Sequence, residues 1–361
     1  MTDTAWGVLS NRAVTAAGVF YFLAFLATLV EWSALRKVPV VGASAADGAS
    51  AAVESAAATA TQSMGGGVGA ATLTQARPKD ENPTEESGEI SDRVAMMGRL
   101  GFLLTLLGLG AHGLALLGRG MAADPHRVPW GNMYEFTLSG TFFVTLTYCV
   151  TRTRMKLSFL APVVLGFVLS TLMAAVIWLY APVAPLTEAL NSPWLVIHVV
   201  SAVIATGAFT IGGMTSALYL LKERYGNGRG YLGRLPDLRS LDLISYRMHA
   251  FGFPVWTFAV LITGPIWAHQ AWSRYWNWDP KEVWAFITWV VYAAYLHARA
   301  TAGWKGRAAA YVALVGMATL WFNFIGVNFF ASNSMHSYAA PAPRAAVVVA
   351  SGPSSVDLSA D

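Results

Sequence analysis

The sequence predicts an all-α integral membrane protein of about eight transmembrane helices with a tryptophan-rich outer loop. Composition is the first observation behind this. Of 361 residues, 55% are hydrophobic and 12% charged, about half the charge of a soluble domain. Mean hydropathy is +0.48. The second observation is clustering: apolar residues form runs of about 18 or more, enough to cross a hydrocarbon core of about 30 Å. In lipid every backbone amide needs an internal partner, so such runs fold as helices.

Eight spans are expected, at 13–32, 94–118, 134–150, 157–179, 194–221, 245–268, 282–298 and 309–330. The first has little basic sequence before it and no small-residue cleavage site before Glu31 and Trp32, so it is read as a helix rather than a signal peptide. It forms an N-terminal unit, 1–40. Residues 41–92 are rich in Ala, Gly, Ser and Thr, then in acidic residues and Pro, and are expected to be a disordered cytoplasmic linker. A membrane domain covers 93–338, and 339–361 is expected to be a disordered outer tail. No internal repeat is visible, which counts against alternating-access transport.

Loop charge sets the orientation. One set of loops holds Arg152, Arg154, Lys156, Lys222, Arg224, Arg229, Arg234, Arg239, Arg299, Lys305 and Arg307; the other holds only Arg119, Arg127, Arg274 and Lys281. The first set is therefore expected inside, with both termini and the tryptophan loop extracytoplasmic in a cell (plasma) membrane. The net charge of +4 follows from this topology, and no basic stripe with interleaved aromatics suggests nucleic acid. Cys149 is the only cysteine and falls within a span. This excludes an intramolecular disulfide or a CxxC pair. No Ser-His-Asp set, paired acid and base or Cys nucleophile is evident, so no catalytic residue is assigned.

The informative stretch is Trp272-Ser-Arg-Tyr-Trp-Asn-Trp-Asp-Pro-Lys-Glu-Val-Trp284, between the sixth and seventh spans. Asp279 reads as a helix N-cap, Pro280 as the first helical residue and Glu282 as the other half of a capping box. The tryptophans before it fit two readings equally: an interfacial aromatic belt, or a platform for a large flat aromatic ligand. The histidines favour the platform. His198 and His336 both fall at the outer face and suit the two axial positions of a heme. His297 lies about 25 Å down the helix from Pro280 and implies a second site at another depth.

Other polar residues have plainer readings beside functional ones. His249 lies at a depth similar to His297 and is the alternative second ligand there, with packing favoured. His112 reads as packing, and His269 borders the loop. Glu135 orients a loop or is a first-turn helix charge. Arg274 and Lys281 are equally candidates for pairing with carboxylates of a ligand or for solvent.

The block from Gly264 to Trp289, including Trp272, Trp276, Trp278, Asp279 and Trp284, resembles the tryptophan-rich signature of the cytochrome c assembly (CcsA/ResC) family. So do Trp194-Leu-Val-Ile-His198, Tyr295-Leu-His-Ala-Arg299, Gly326-Val-Asn with Met335-His-Ser-Tyr338, and Pro129-Trp-Gly-Asn-Met-Tyr-Glu135. The similarity runs from about 94 to 338. One departure is that His126-Arg-Val-Pro129 is a residue longer than the family's Gly-His-x-Pro, so His126 is given no role.

The resemblance implies the heme-handling subunit of a System II holocytochrome c synthase, a thioether-forming complex. Heme b is its transported substrate. His198 and His336 would ligate an outer heme, and the tryptophans and Asp279 would hold the macrocycle. His297 would ligate an inner heme together with a ResB/CcsB-type membrane subunit. Apocytochrome c is the further partner implied, with thiol-reducing extracytoplasmic proteins as candidates beside it. A System I heme-delivery protein and a heme exporter without an assembly role are the alternatives. A quinone or electron-transfer subunit would need matched histidine pairs on facing helices, and these are not found.

Overall fold

The computed structural model describes residues 2–35, 83–185, 190–226, 230–331 and 334–335, with only the helix path for 83–91. Among the described residues the regular structure is entirely helical. The elements are α1 (Asp3–Leu35), α2 (Pro83–Met121), α3 (Met133–Met155), α4 (Ala161–Ala174), α5 (Pro193–Tyr225), α6 (Leu238–Thr257), α7 (Gly264–Trp272), α8 (Pro280–Thr301), α9 (Arg307–Trp321) and α10 (Val327–Phe330). A 3₁₀ turn, Leu157–Leu160, leads into α4. Wide π turns follow α4 (Ala175–Leu179), join α6 to α7 (Phe258–Thr263) and join α9 to α10 (Phe322–Gly326).

Local chemistry sets the helix ends. Asn132 accepts the Glu135 amide at the start of α3, and Arg152 and Arg154 sit in its last turn, where cations complement the exposed carbonyls. Ser192 caps α5 ahead of Pro193, and Lys222 and Arg224 close it. Asp237 caps α6 by accepting the Ser240 amide at 3.2 Å and hydroxyl at 2.5 Å, bonds that hold its carboxyl below the ordinary range. At α8 the predicted capping box is present: Asp279 accepts backbone N–H at the first turn, while Glu282 reaches back to the Asp279 amide.

Each predicted span coincides with a helix or helix pair, but the count differs. Among the described residues, six helices are long and apolar enough to cross a membrane, not eight. The two that fall short, α3 and α8, are 23 and 22 residues long. Their hydropathy is lowered by polar residues. Thr137, Ser139, Thr141 and Thr145 of α3 are buried, and so are Glu282 and Thr288 of α8. The threonine hydroxyls bond carbonyls of their own helix, so they pack inside without an open polar group. The expected linker 41–92 lies largely outside the described residues, but α2 already begins at Pro83. The tail 339–361 lies wholly outside them.

α1 and α2 form an antiparallel hairpin that packs on α4, and α5 runs through the middle against α3, α6 and α9. The α3–α5 crossing is close because Gly207 has no side chain: a Cβ there would lie 2.5 Å from Thr147 Oγ1. Cys149 is buried in this core. One end of the bundle carries the tryptophan loop. The other carries the basic helix ends, where Arg299 pairs with Asp242 through two bonds of 2.7 and 2.9 Å.

Candidate functional site

The loop between α7 and α8 is held by its own backbone. Ser273 ends α7 in a left-handed conformation (φ 57°) and donates its amide to His269 O. Trp278 is also left-handed, at φ 56°. That is a strained position for a bulky residue, and it leaves the indole 69% exposed. The next residue, Asp279, is the reverse case, at 4% exposed. Its Oδ2 accepts the Lys281 amide at 3.2 Å and the Ser334 hydroxyl at 2.7 Å, and its Oδ1 accepts the Met335 amide at 2.7 Å. Glu282 Oε2 accepts the amides of Asn277 and Asp279 at 2.8 and 3.1 Å. One carboxylate therefore joins the tryptophan loop to the segment after α10.

Behind the loop lies a cleft of about 170 Å³, smaller than the ~300–1,000 Å³ of typical small-molecule pockets. A large planar ligand would lie across it, with only part of its surface inside. The cleft is mostly apolar, and its polar groups include His198, Thr206, Tyr275, Trp276, Lys281, Glu282 and Asn323. Both flanking π turns contribute, through Val260 and through Asn323 and Phe324. Wide turns of this kind gather at functional sites.

His198 is the best-defined group. Its Nδ1 lies 2.9 Å from the Ala259 carbonyl. That carbonyl also accepts from Thr263 Oγ1 at 3.1 Å and from the Gly264 amide across the π turn. The imidazole lies nearly parallel to Trp267, with an interplanar angle of 13°. Gly264 makes room for it, since a Cβ there would sit 3.2 Å from the ring.

The other expected site residues divide. Trp276 lines the cleft, and its buried Nε1 has no acceptor. Trp278 stands edge-on to it at 5.8 Å. Trp272 packs edge-on against Trp267 at 4.9 Å, behind the cleft wall. Trp284 packs on Phe322 at 4.2 Å and is not on the wall. Asp279 has both oxygens occupied within the protein. His336 lies outside the described residues, although its chain neighbour Met335 is fixed to Asp279. His297 is exposed on α8, about 22 Å along the helix from Glu282 at 1.5 Å per residue.

His249 is fully buried. Its Nδ1 donates to Ser245 O at 2.7 Å, and its ring meets Tyr292 and Tyr295 at 5.1 and 5.0 Å. Those tyrosines lie on the inner face of α8, and Tyr295 is about 200° around the helix from His297. The two histidines therefore face different surroundings. His112 is likewise buried, 3.3 Å from Tyr21 Oη, and His269 stacks on Tyr275 at 4.4 Å.

Both readings of Glu135 hold: it lies in the first turn of α3 and it orients the loop before that helix. Its buried carboxylate accepts from Arg119 at 2.9 Å, Arg127 at 2.8 Å and the Gly131 amide at 2.7 Å. The same arginines reach the carbonyls of Ala181 and Ala184. Sequence reasoning missed Asn323, whose Oδ1 is buried without a partner at the cleft. A lone amide inside an apolar helical run was the available signal. The Ala259 carbonyl carries no signal in the sequence.

The fold and cleft define a multi-pass helical membrane protein with an imidazole-bearing aromatic site at one end of its bundle. The family model described as Cytochrome C assembly protein matches residues 130–334. The chain is similar to the cytochrome c biogenesis protein CcsA of Chlamydomonas reinhardtii, 38% identical over 224 residues (58% of this chain, 60% of that one). It is also similar to the proteins of that name from Porphyra purpurea, 31% identical (68% and 89%), and Gloeobacter violaceus, 32% identical (65% and 87%). The chain thus spans less than two thirds of the Chlamydomonas relative. It belongs to the cytochrome c assembly protein family.

Proposed function

We propose that this chain serves cytochrome c biogenesis by holding heme at the tryptophan-loop end of the bundle and presenting it to apocytochrome c. The observation that carries the reading is the bond from His198 to Ala259. A carbonyl only accepts, so Nδ1 holds the proton and the lone pair sits on Nε2. Metal-binding imidazoles are commonly oriented in this way by a carbonyl partner. The orphaned polar atoms of Trp276 and Asn323 fit a site completed by a ligand.

In this reading His198 and His336 hold the iron from its two faces, and Trp276 and Trp278 border the macrocycle. Trp272 and Trp284 support the loop and α8 from behind, and Asp279 fixes the loop to the segment that leads to His336. Saturated axial ligation limits reaction with oxygen. The histidine of an apocytochrome Cys-x-x-Cys-His segment displaces one ligand. Each of its thiols then adds across a vinyl group: the C–S bond forms, and the thiol hydrogen goes to the vinyl carbon. The chain supplies orientation and environment for chemistry that belongs to its substrates.

His297, exposed on the outer face of α8, receives heme at the basic end, with its second ligand from a ResB/CcsB-type subunit. That His249 faces the bundle interior, on the other side of α8 from His297, favours a second ligand from outside this chain. The basic end is cytoplasmic, and the termini and tryptophan loop are extracytoplasmic, in the cell membrane. Thiol-reducing proteins keep the incoming cysteines reduced.

The test is heme content and absorption spectra of the chain purified with its partner subunit. His198→Ala and His336→Ala should each weaken a bis-histidine signal, and His297→Ala should remove a separate one. Unchanged spectra in all three would sink the assignment.

A further inference from the structure

The sequence leaves Arg274 and Lys281 level as partners for ligand carboxylates, and the structure separates them. Arg274 is exposed and donates to Asn277 Oδ1 at 2.6 Å, away from the cleft wall. Lys281 lines the cleft with His198 and Trp276. Its Nζ lies 6.0 Å from the centroid of the Phe136 ring, which lines the same cleft.

The neighbouring carboxylates are committed elsewhere. Asp279 accepts the Lys281 and Met335 amides and the Ser334 hydroxyl. Glu282 closes the capping box, where the positive end of the helix also offsets its charge. Among the described residues, the ion pairs formed do not include Lys281. An ammonium beside an apolar-walled cleft is stabilised by a ligand that brings its own carboxylate.

We propose that Lys281 is the carboxylate subsite of the cleft, binding a propionate of the heme whose iron His198 ligates. This rests on the heme reading given above. Propionates and vinyls lie on opposite edges of a protoporphyrin. Anchoring the propionate edge at the start of α8 turns the vinyl edge away from that wall, toward incoming thiols. Lys281 thereby selects one of the macrocycle's in-plane orientations, which an axial imidazole alone cannot do.

The test uses the purified chain titrated with ferric heme and with its dimethyl ester, followed by absorption. Wild type should prefer the free acid by about ten-fold or more, the scale of one charge-assisted bond. Lys281→Met should lose that preference by weakening the acid alone, with an unchanged axial-ligand spectrum, and Lys281→Arg should keep it. Equal binding of acid and ester by wild type, or equal weakening of both by Lys281→Met, overturns the proposal while leaving the heme site standing. If wild type binds neither, the heme reading itself falls.

Discussion

Asp279 does two jobs with one side chain. It caps α8, and it holds Ser334 and Met335 against the tryptophan loop. Asp279→Ala should lose about 1 kcal/mol or more from the cap alone and release the segment leading to His336. The outer heme signal should then fall while the inner one persists. Asp279→Asn keeps a capping oxygen and should retain more of the stability than of the outer signal. Spectra and thermal unfolding of the two variants check this, and a wild-type outer signal in Asp279→Ala would remove the latch from ligation. Asp279 could be read as a cap from sequence alone, because a capping box is local. Its second bond set could not, because it joins residues 55 and 56 positions apart.

At the scale of elements, α8 presents two unlike faces. Its inner face packs Tyr292 and Tyr295 against His249, and its outer face exposes His297. Substitution should separate packing from ligation. His249→Ala should destabilise the bundle by about 2–4 kcal/mol, as removal of a buried ring does, with heme content per folded molecule unchanged. His297→Ala should leave stability within about 0.5 kcal/mol and remove inner heme. Thermal unfolding and heme content measured on both variants decide between these roles.

The helices themselves were legible because long apolar runs and capping residues are local signals. The π turns were not. A turn that runs i to i+5 is settled by which donors compete for a carbonyl, here Thr263, Gly264 and the distant His198 at Ala259. The separation of Trp284 from the cleft was hidden for a related reason. It follows from the Phe322 contact, and Phe322 lies in another π turn.

For the whole molecule, the testable property is orientation. Lys and Arg collect at one end of the bundle and are sparse at the tryptophan-loop end. A Cys149→Ser background leaves no native thiol. In it, Ser273→Cys should react with an impermeant maleimide in intact cells, and Lys156→Cys only after the membrane is opened. The reverse pattern would invert the topology and move the cleft to the other side. The number of membrane-crossing helices was harder to read than their positions. α3 and α8 keep hydroxyls and charges inside the bundle, where neighbouring helices rather than lipid surround them.

Cys149 is buried in the α3 core. In the proposed reaction the substrates are a pair of free thiols and a vinyl edge, and any accessible cysteine could add across that edge in place of the substrate thiols. A scaffold with a reachable thiol would compete with the substrate and become alkylated by its own cargo. This chain offers neither reactant a foothold, so it is chemically silent toward the bond formation it would host.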